Sequence, residues 1–279
     1  MEISFIMHKI YKLFIIFSSS FKKDFNEALS YRLNFYLSFL TIFFSSFILF
    51  IFSNQFLQFD QDYVNGYKIS YFTYYLSGFI LLEISLIIAS SISMNIKRMQ
   101  ISGVFEEIIQ YDNYFIALIA SISYPLFRGL LKILIYIIVG IYFFNLDKVG
   151  MLEIFLIILV FLTLSIGIIG MGLIASCFSI LFKHDNLIIS FISLLIVTFS
   201  GIFFPPELLP DQTQFISYTL PSTWALDIVR GLFETNNIRI NTFSVLILLF
   251  QSLFLYLVGS FLLKKSINIS KKTGTIVEF

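Results

Sequence analysis

The chain has 279 residues, 58% of them hydrophobic and only 13% charged, with a mean hydropathy of +0.92 and a formal net charge of +1. A soluble domain carries about a quarter charged residues, so this composition excludes an ordinary soluble globule; the near-neutral charge, with no basic patch interleaved with aromatics, gives no support to a nucleic-acid partner. The single cysteine, Cys177, lies in an apolar run, which excludes an intrachain disulfide and a cysteine metal cluster.

In chain order, the first element is an amphipathic pattern over residues 8–30. Ile10, Leu13, Phe14, Phe17, Phe21, Phe25, Ala28 and Leu29 recur at three- and four-residue steps, while Lys9, Lys12, Lys22 and Lys23 fall off that face. The spacing predicts a helix lying in the inner membrane interface with its lysines toward anionic headgroups. A merely sticky amino terminus is the plainer alternative. The stretch Leu13 to Phe17 is too short for a signal core and is followed by Lys22, Lys23 and Asp24, so insertion is expected through the first true span.

Six spans are expected, over 33–53, 70–92, 122–144, 152–181, 187–204 and 242–263. The expected fold is therefore an all-α membrane protein, a single transmembrane domain over 1–279. It would comprise the interface helix 8–30, a six-span core 33–268 with short re-entrant outer helices between spans five and six, and a cytoplasmic tail 269–279. Lysine and arginine set the orientation. Twelve lie on one side (Lys9, Lys12, Lys22, Lys23, Arg32, Lys97, Arg98, Lys183, Lys264, Lys265, Lys271, Lys272) and four on the other (Lys68, Lys148, Arg230, Arg239). Both termini are expected in the cytoplasm of a plasma-membrane protein.

Within the second span stands Glu83, and within the third Arg128 and Lys132. Ionisable groups at such depth are expensive and face a cavity or each other, so Glu83 is expected to pair with Arg128 or Lys132 across adjacent helices. Such a pair would either fix helix register or line a path. In the loop that follows the second span, Gly103 is placed to start a short helix over Val104, Phe105, Glu106, Glu107, Ile108, Ile109 and Gln110. Glu106 and Glu107 lie near its amino end, where carboxylates are favoured. Phe105, Ile108 and Ile109 would supply an apolar face for docking on a soluble partner; an ordinary capped surface helix has the same pattern. Gly167, Gly170 and Gly172 in the fourth span fit close helix packing, or an unwound binding site.

From Gly201 to Glu234 the apolar character breaks, in a stretch that holds four of the five prolines and the only tryptophan. Pro205, Pro206 and Pro210 stop helix continuation. After Pro221, Trp224 with Tyr218 suits headgroup level, and Asp227 and Arg230 stand three apart on one helical face. Nothing supports catalysis or metal binding: His8 and His184 are far apart, no carboxylates cluster near them, and no Gly-x-x-x-x-Gly-Lys-Ser/Thr run exists to hold ATP.

Together these features resemble the membrane subunit of a type-2 ABC exporter, the family of drug exporters and of O-antigen and teichoic-acid glycolipid exporters. The likeness covers essentially the whole chain. It rests on the interface helix, the six-span layout, the loop helix GVFEEIIQ and above all the outer segment. In that family the fifth span is followed by a Pro-containing break, then by a stretch carrying Pro, an aromatic, Asp and Arg. Here Pro205, Pro206 and Pro210 supply the break, and Pro221, Trp224, Asp227 and Arg230 stand in PSTWALDIVR. The resemblance implies that Val104 to Gln110 couples to a separate ATPase subunit, which carries the ATP and Mg that this chain has no means to hold. It also implies that 202–233 caps the exit and that a second permease copy, or a paralogue, completes the unit in membrane lipid. The substrate would be a drug, a lipid or a lipid-linked glycan. Gln110, Tyr111 and Asp112 depart from the small, Pro-containing stretch the family shows after the loop helix. An ion- or proton-coupled secondary transporter is the alternative from another class; it would show broken helices in both halves, whereas the proline break occurs once.

Overall fold

Long runs of Leu, Ile and Phe leave their backbone no hydrogen-bond partner in hydrocarbon except itself, and the helix is the local answer. A computed structural model describes residues 2–54, 69–110, 114–144, 146, 150–182, 185–234 and 241–273. Among them the chain is all α-helical, with no strand. The expectations for Lys68, Tyr111, Asp112, Lys148, Lys183, His184, Arg239 and residues 274–279 lie outside the described residues, as do those for the side chains of His8, Lys9, Ile10, Lys12, Leu13 and Arg32.

The helices are α1 (Glu2–Ser30), α2 (Arg32–Asn54), α3 (Tyr71–Ile101), α4 (Val104–Gln110), α5 (Tyr114–Ala120), α6 (Ser123–Phe143), α7 (Met151–Phe182), α8 (Asp185–Phe199), α9 (Asp211–Thr219), α10 (Pro221–Leu232) and α11 (Thr242–Thr273). Among the described residues five stretches are long and apolar enough to cross a membrane: Tyr36–Asn54, Tyr71–Ile101, Tyr114–Phe143, Met151–Leu181 and Thr242–Lys272. The fifth expected span, 187–204, is helical only to Phe199, and the apolar helix there is shorter than the other five. Its early stop has a local cause. Gly201 adopts φ +80°, a left-handed conformation that closes a helix, and Pro205 and Pro206 follow.

Other boundaries shift for similar reasons. α3 continues past the expected end at 92 to Ile101, where Ser102 caps it and Gly103, at φ +73°, turns the chain into α4. The third apolar run starts at Tyr114 and breaks between α5 and α6, where Ile122 N–H donates to the Ile119 carbonyl at 3.0 Å in a tightened turn. Pro125, in the first turn of α6, has no N–H to bond the Ser121 carbonyl. α11 runs through Thr273, so the expected tail from 269 begins as helix.

α3 and α7 are the most enclosed of the long helices, and α2 and α11 the most open. The glycines of α7 set the packing. A Cβ on Gly170 would collide with the Leu255 carbonyl of α11, and one on Gly259 would collide with Gly170 in turn. On the opposite face, a Cβ on Gly172 would lie 2.9 Å from the Ala89 carbonyl of α3. Close helix approach, not an unwound site, is what these positions show: α7 is continuous helix through all three glycines.

Candidate functional site

Irregular backbone needs partners, and the segment 200–234 is built from groups that supply them. Pro206–Leu208 forms a 3₁₀ turn, Pro210 precedes α9, and Pro221 opens α10 at a position where its missing N–H costs nothing. Thr223 Oγ1 donates to the Ser217 carbonyl at 2.7 Å across the α9–α10 corner, and the Ser200 and Ser222 hydroxyls meet at 2.5 Å. The Tyr218 carbonyl accepts from Trp224 Nε1 at 3.0 Å and from Gln251 Nε2 of α11 at 2.6 Å. The Trp224 ring lies 5.7 Å from Tyr218 and 5.9 Å, edge-on, from Phe243. Asp227 accepts a hydrogen bond from the Ser244 hydroxyl, so α10 is tied to the start of α11 by two routes.

Arg230 is the keystone of this end. It is 4% exposed. Its Nη2 donates to the Ile202 carbonyl at 3.2 Å and to the Tyr74 carbonyl at 3.4 Å, and its guanidinium carbon sits 3.5 Å from the centre of the Tyr74 ring. Ile202 in turn presses on Gly78, where a Cβ would lie 2.8 Å from the Ile202 carbonyl oxygen. One side chain thus joins α10, the bent stretch after α8, and the first turns of α3. Arginine suits this task because its planar fork serves several acceptors and its face stacks on an aromatic ring.

Deeper in the bundle a second polar cluster joins three helices. The Lys132 ammonium of α6 pairs with the Glu83 carboxylate of α3. One turn further along α6, Tyr136 is fully buried and donates its hydroxyl hydrogen to Glu83 Oε2 at 2.6 Å. Ser45 of α2 lies 3.0 Å from the same Tyr136 hydroxyl. From the ends of their helices at Tyr71 and Phe143, Glu83 and Lys132 are each on the order of 16–18 Å along the axis, which puts them at matching depth. Of the two cations expected for Glu83, the structure brings Lys132; Arg128, one turn away on α6, is exposed.

At the far end of the bundle sits α4, about 45 Å along α3 from the proline-rich segment. Phe105 and Ile109 are buried, and Lys271 of α11 donates to the Ile109 carbonyl at 2.9 Å. The apolar face expected to meet a partner is therefore turned largely into the chain itself. Val104, Glu107 and Gln110 are exposed, with Glu106 and Ile108 half-buried. Among the described residues no three His, Cys, Asp or Glu side chains stand together as metal ligands would.

A family model described as ABC-2 type transporter matches residues 15–233. The chain belongs to the ABC-2 type transporter family. The ABC-2 match runs from within α1 to the end of α10, so it takes in α4, the Glu83–Lys132 pair and the Arg230 assembly, and leaves α11 beyond it. The membrane domain of an ABC-2 transporter is a permease component of a multi-pass membrane protein, consistent with a non-enzymatic role, and the family generally implies an ATPase partner. A comparison with curated proteins finds no match for the chain.

Several residues of these clusters escape sequence reasoning. Tyr136 carries a signal, since it stands four residues from Lys132 and so shares its helical face. Ser45, Tyr74, Ser244, Gln251 and Lys271 carry none, because each meets its partner only through tertiary packing.

Proposed function

We propose that this chain is the transmembrane subunit of an ATP-driven exporter that moves a hydrophobic or amphipathic substrate (a drug, a lipid or a lipid-linked glycan) out of the cytoplasm. The family match across both α4 and the proline-rich segment carries this reading. Two permeases, identical or paralogous, work with two ATPase subunits that hold ATP and Mg, in the plasma membrane with both termini cytoplasmic. α1 lies in the inner interface, 269–279 emerges into the cytoplasm, and α9 and α10 form re-entrant outer helices that cap the exit with Pro205, Pro206, Pro210, Pro221, Trp224, Asp227 and Arg230.

Six crossings fit this reading. α8 spans about 22 Å as helix, short of a core of about 30 Å, so the bent residues 200–204 after it complete the crossing in this proposal. α8 also starts after α7, at the end opposite the cap, and finishes beside Gly78 of α3.

α4 is the ATPase contact in this proposal, through its outward edge of Val104, Glu107 and Gln110 with Glu106, while Phe105, Ile108 and Ile109 seat the helix on the bundle. Glu106→Lys with Glu107→Lys should release the partner ATPase and leave membrane insertion intact. Co-purification and ATP hydrolysis in proteoliposomes read the outcome; full retention of a coupled ATPase by this variant counts against α4 as the contact. The buried Glu83–Lys132 pair is the observation that favours ion-coupled secondary transport instead. That reading requires transport driven by a proton or ion gradient without ATP.

A further inference from the structure

Arg128 is a cation within a helix apolar enough to cross a membrane. Lys132, one turn along α6, is taken by Glu83. Arg128 is exposed, between Phe127 and Leu131, which are 37% and 42% exposed on the same stretch. Among the described residues it has no ion-pair partner. Measured from the outer end of α6 at Phe143, it lies about 22 Å into a core of about 30 Å, so its long side chain can reach the inner headgroups. A charge presented to lipid at that depth needs an anion.

α1 arrives at the same place. The Phe21 ring lies 5.3 Å from Phe127 and 6.0 Å from Tyr124, and Phe25 lies 6.4 Å from Tyr124, so α1 is clamped to the first turns of α6 by aromatic edges. Lys22 and Lys23 sit beside these rings and are exposed. Tyr124 is close enough to feel the charges of both Arg128 and Asp24. Burial pushes the Asp24 carboxyl up, while Lys23 and Arg98 pull it down and Glu27 pushes it further up. Lys23 and Arg98 thus act on Asp24, Arg128 and Asp24 act on Tyr124, and Lys22 is the neighbour of Lys23 on α1, so cations outnumber the acids Asp24 and Glu27.

We infer that the α1–α6 junction binds the phosphate of an anionic phospholipid of the inner leaflet, with Arg128 as the principal ligand and Lys22 and Lys23 as flanking cations. Guanidinium recognises phosphate through two parallel N–H bonds, and its exposed apolar neighbours Phe127 and Leu131 lie where the acyl chains would run. This rests on the membrane placement of the chain and not on ATP-driven export, so its failure would leave that reading intact.

The test uses the full chain in nanodiscs of phosphatidylcholine with and without phosphatidylglycerol, with retained lipids counted by native mass spectrometry. Wild type should hold phosphatidylglycerol in preference to phosphatidylcholine. Arg128→Gln should lower that retention about fivefold, the loss expected for one cation at a membrane surface. Lys272→Gln, on α11 rather than on α1 or α6, should leave it unchanged, and inorganic phosphate should not displace the lipid. Should Arg128→Gln fail to fold, the exposed double variant Lys22→Gln with Lys23→Gln reads the same site and should lower retention by a comparable factor. Equal retention by a folded Arg128→Gln, equal retention of phosphatidylcholine, or release by inorganic phosphate would each overturn the assignment.

Discussion

The assembly around Arg230 and the cluster around Lys132 each bury a cation in a mostly apolar chain, and the contacts around the two differ. At the proline-rich end the backbone leaves helical geometry, so carbonyls such as that of Ile202 are open, and the guanidinium serves backbone and a ring face. Within the bundle nearly every carbonyl already belongs to its own helix, so the ammonium must be met by a side-chain acid. Broken backbone calls for a donor that reaches several acceptors; intact helices call for a matched pair. The two regions should therefore respond differently when one member is removed.

The largest effect is expected in the pair. Lys132→Met leaves the Glu83 carboxylate without its cation and should cost about 3–5 kcal/mol in detergent-solubilised unfolding, while adding Glu83→Gln should recover most of it, because the uncompensated charge is then gone. If the double variant is as unstable as the single one, the pair is not the unit it looks like. At the other end, Arg230→Ala should cost about 2–3 kcal/mol by stranding the Ile202 carbonyl, and Arg230→Lys should fail to restore it, since an ammonium cannot both fork between carbonyls and stack on Tyr74. Full rescue by lysine would erase the distinction between the two regions. Tyr136→Phe is expected to be milder, about 1 kcal/mol, because Lys132 still satisfies Glu83. A loss as large as that of Lys132→Met would instead make the tyrosine the anchor of the cluster.

Much of this was legible from residue patterns. The apolar runs, the helix after Gly103, and the proline-driven break each have a local cause, and local causes can be read along a chain. The partner of Glu83 was narrowed to Arg128 or Lys132 by depth, but one helical turn separates them, and only the rotation of α6 against α3 decides. The break between α5 and α6 follows from Pro125, a lone proline whose local signal is weaker than that of the clustered prolines at 205–221. The inward turn of Phe105 and Ile109 was not legible, because an apolar face looks the same whether it meets a partner or its own bundle. Arg230 is expected three residues from Asp227 on one helical face, but its packing on Tyr74, 156 positions away, is set only by tertiary structure.

The central claim is that this ABC-2 permease is driven by a separate ATPase engaged through α4. Reconstitution with the P-loop ATPase that co-purifies from native membranes tests it most directly, with ATP hydrolysis followed for the wild type and for Glu106→Lys with Glu107→Lys. Hydrolysis that depends on the permease and is lost in the variant is the predicted result. A permease that purifies alone and transports on a proton gradient without ATP would contradict it.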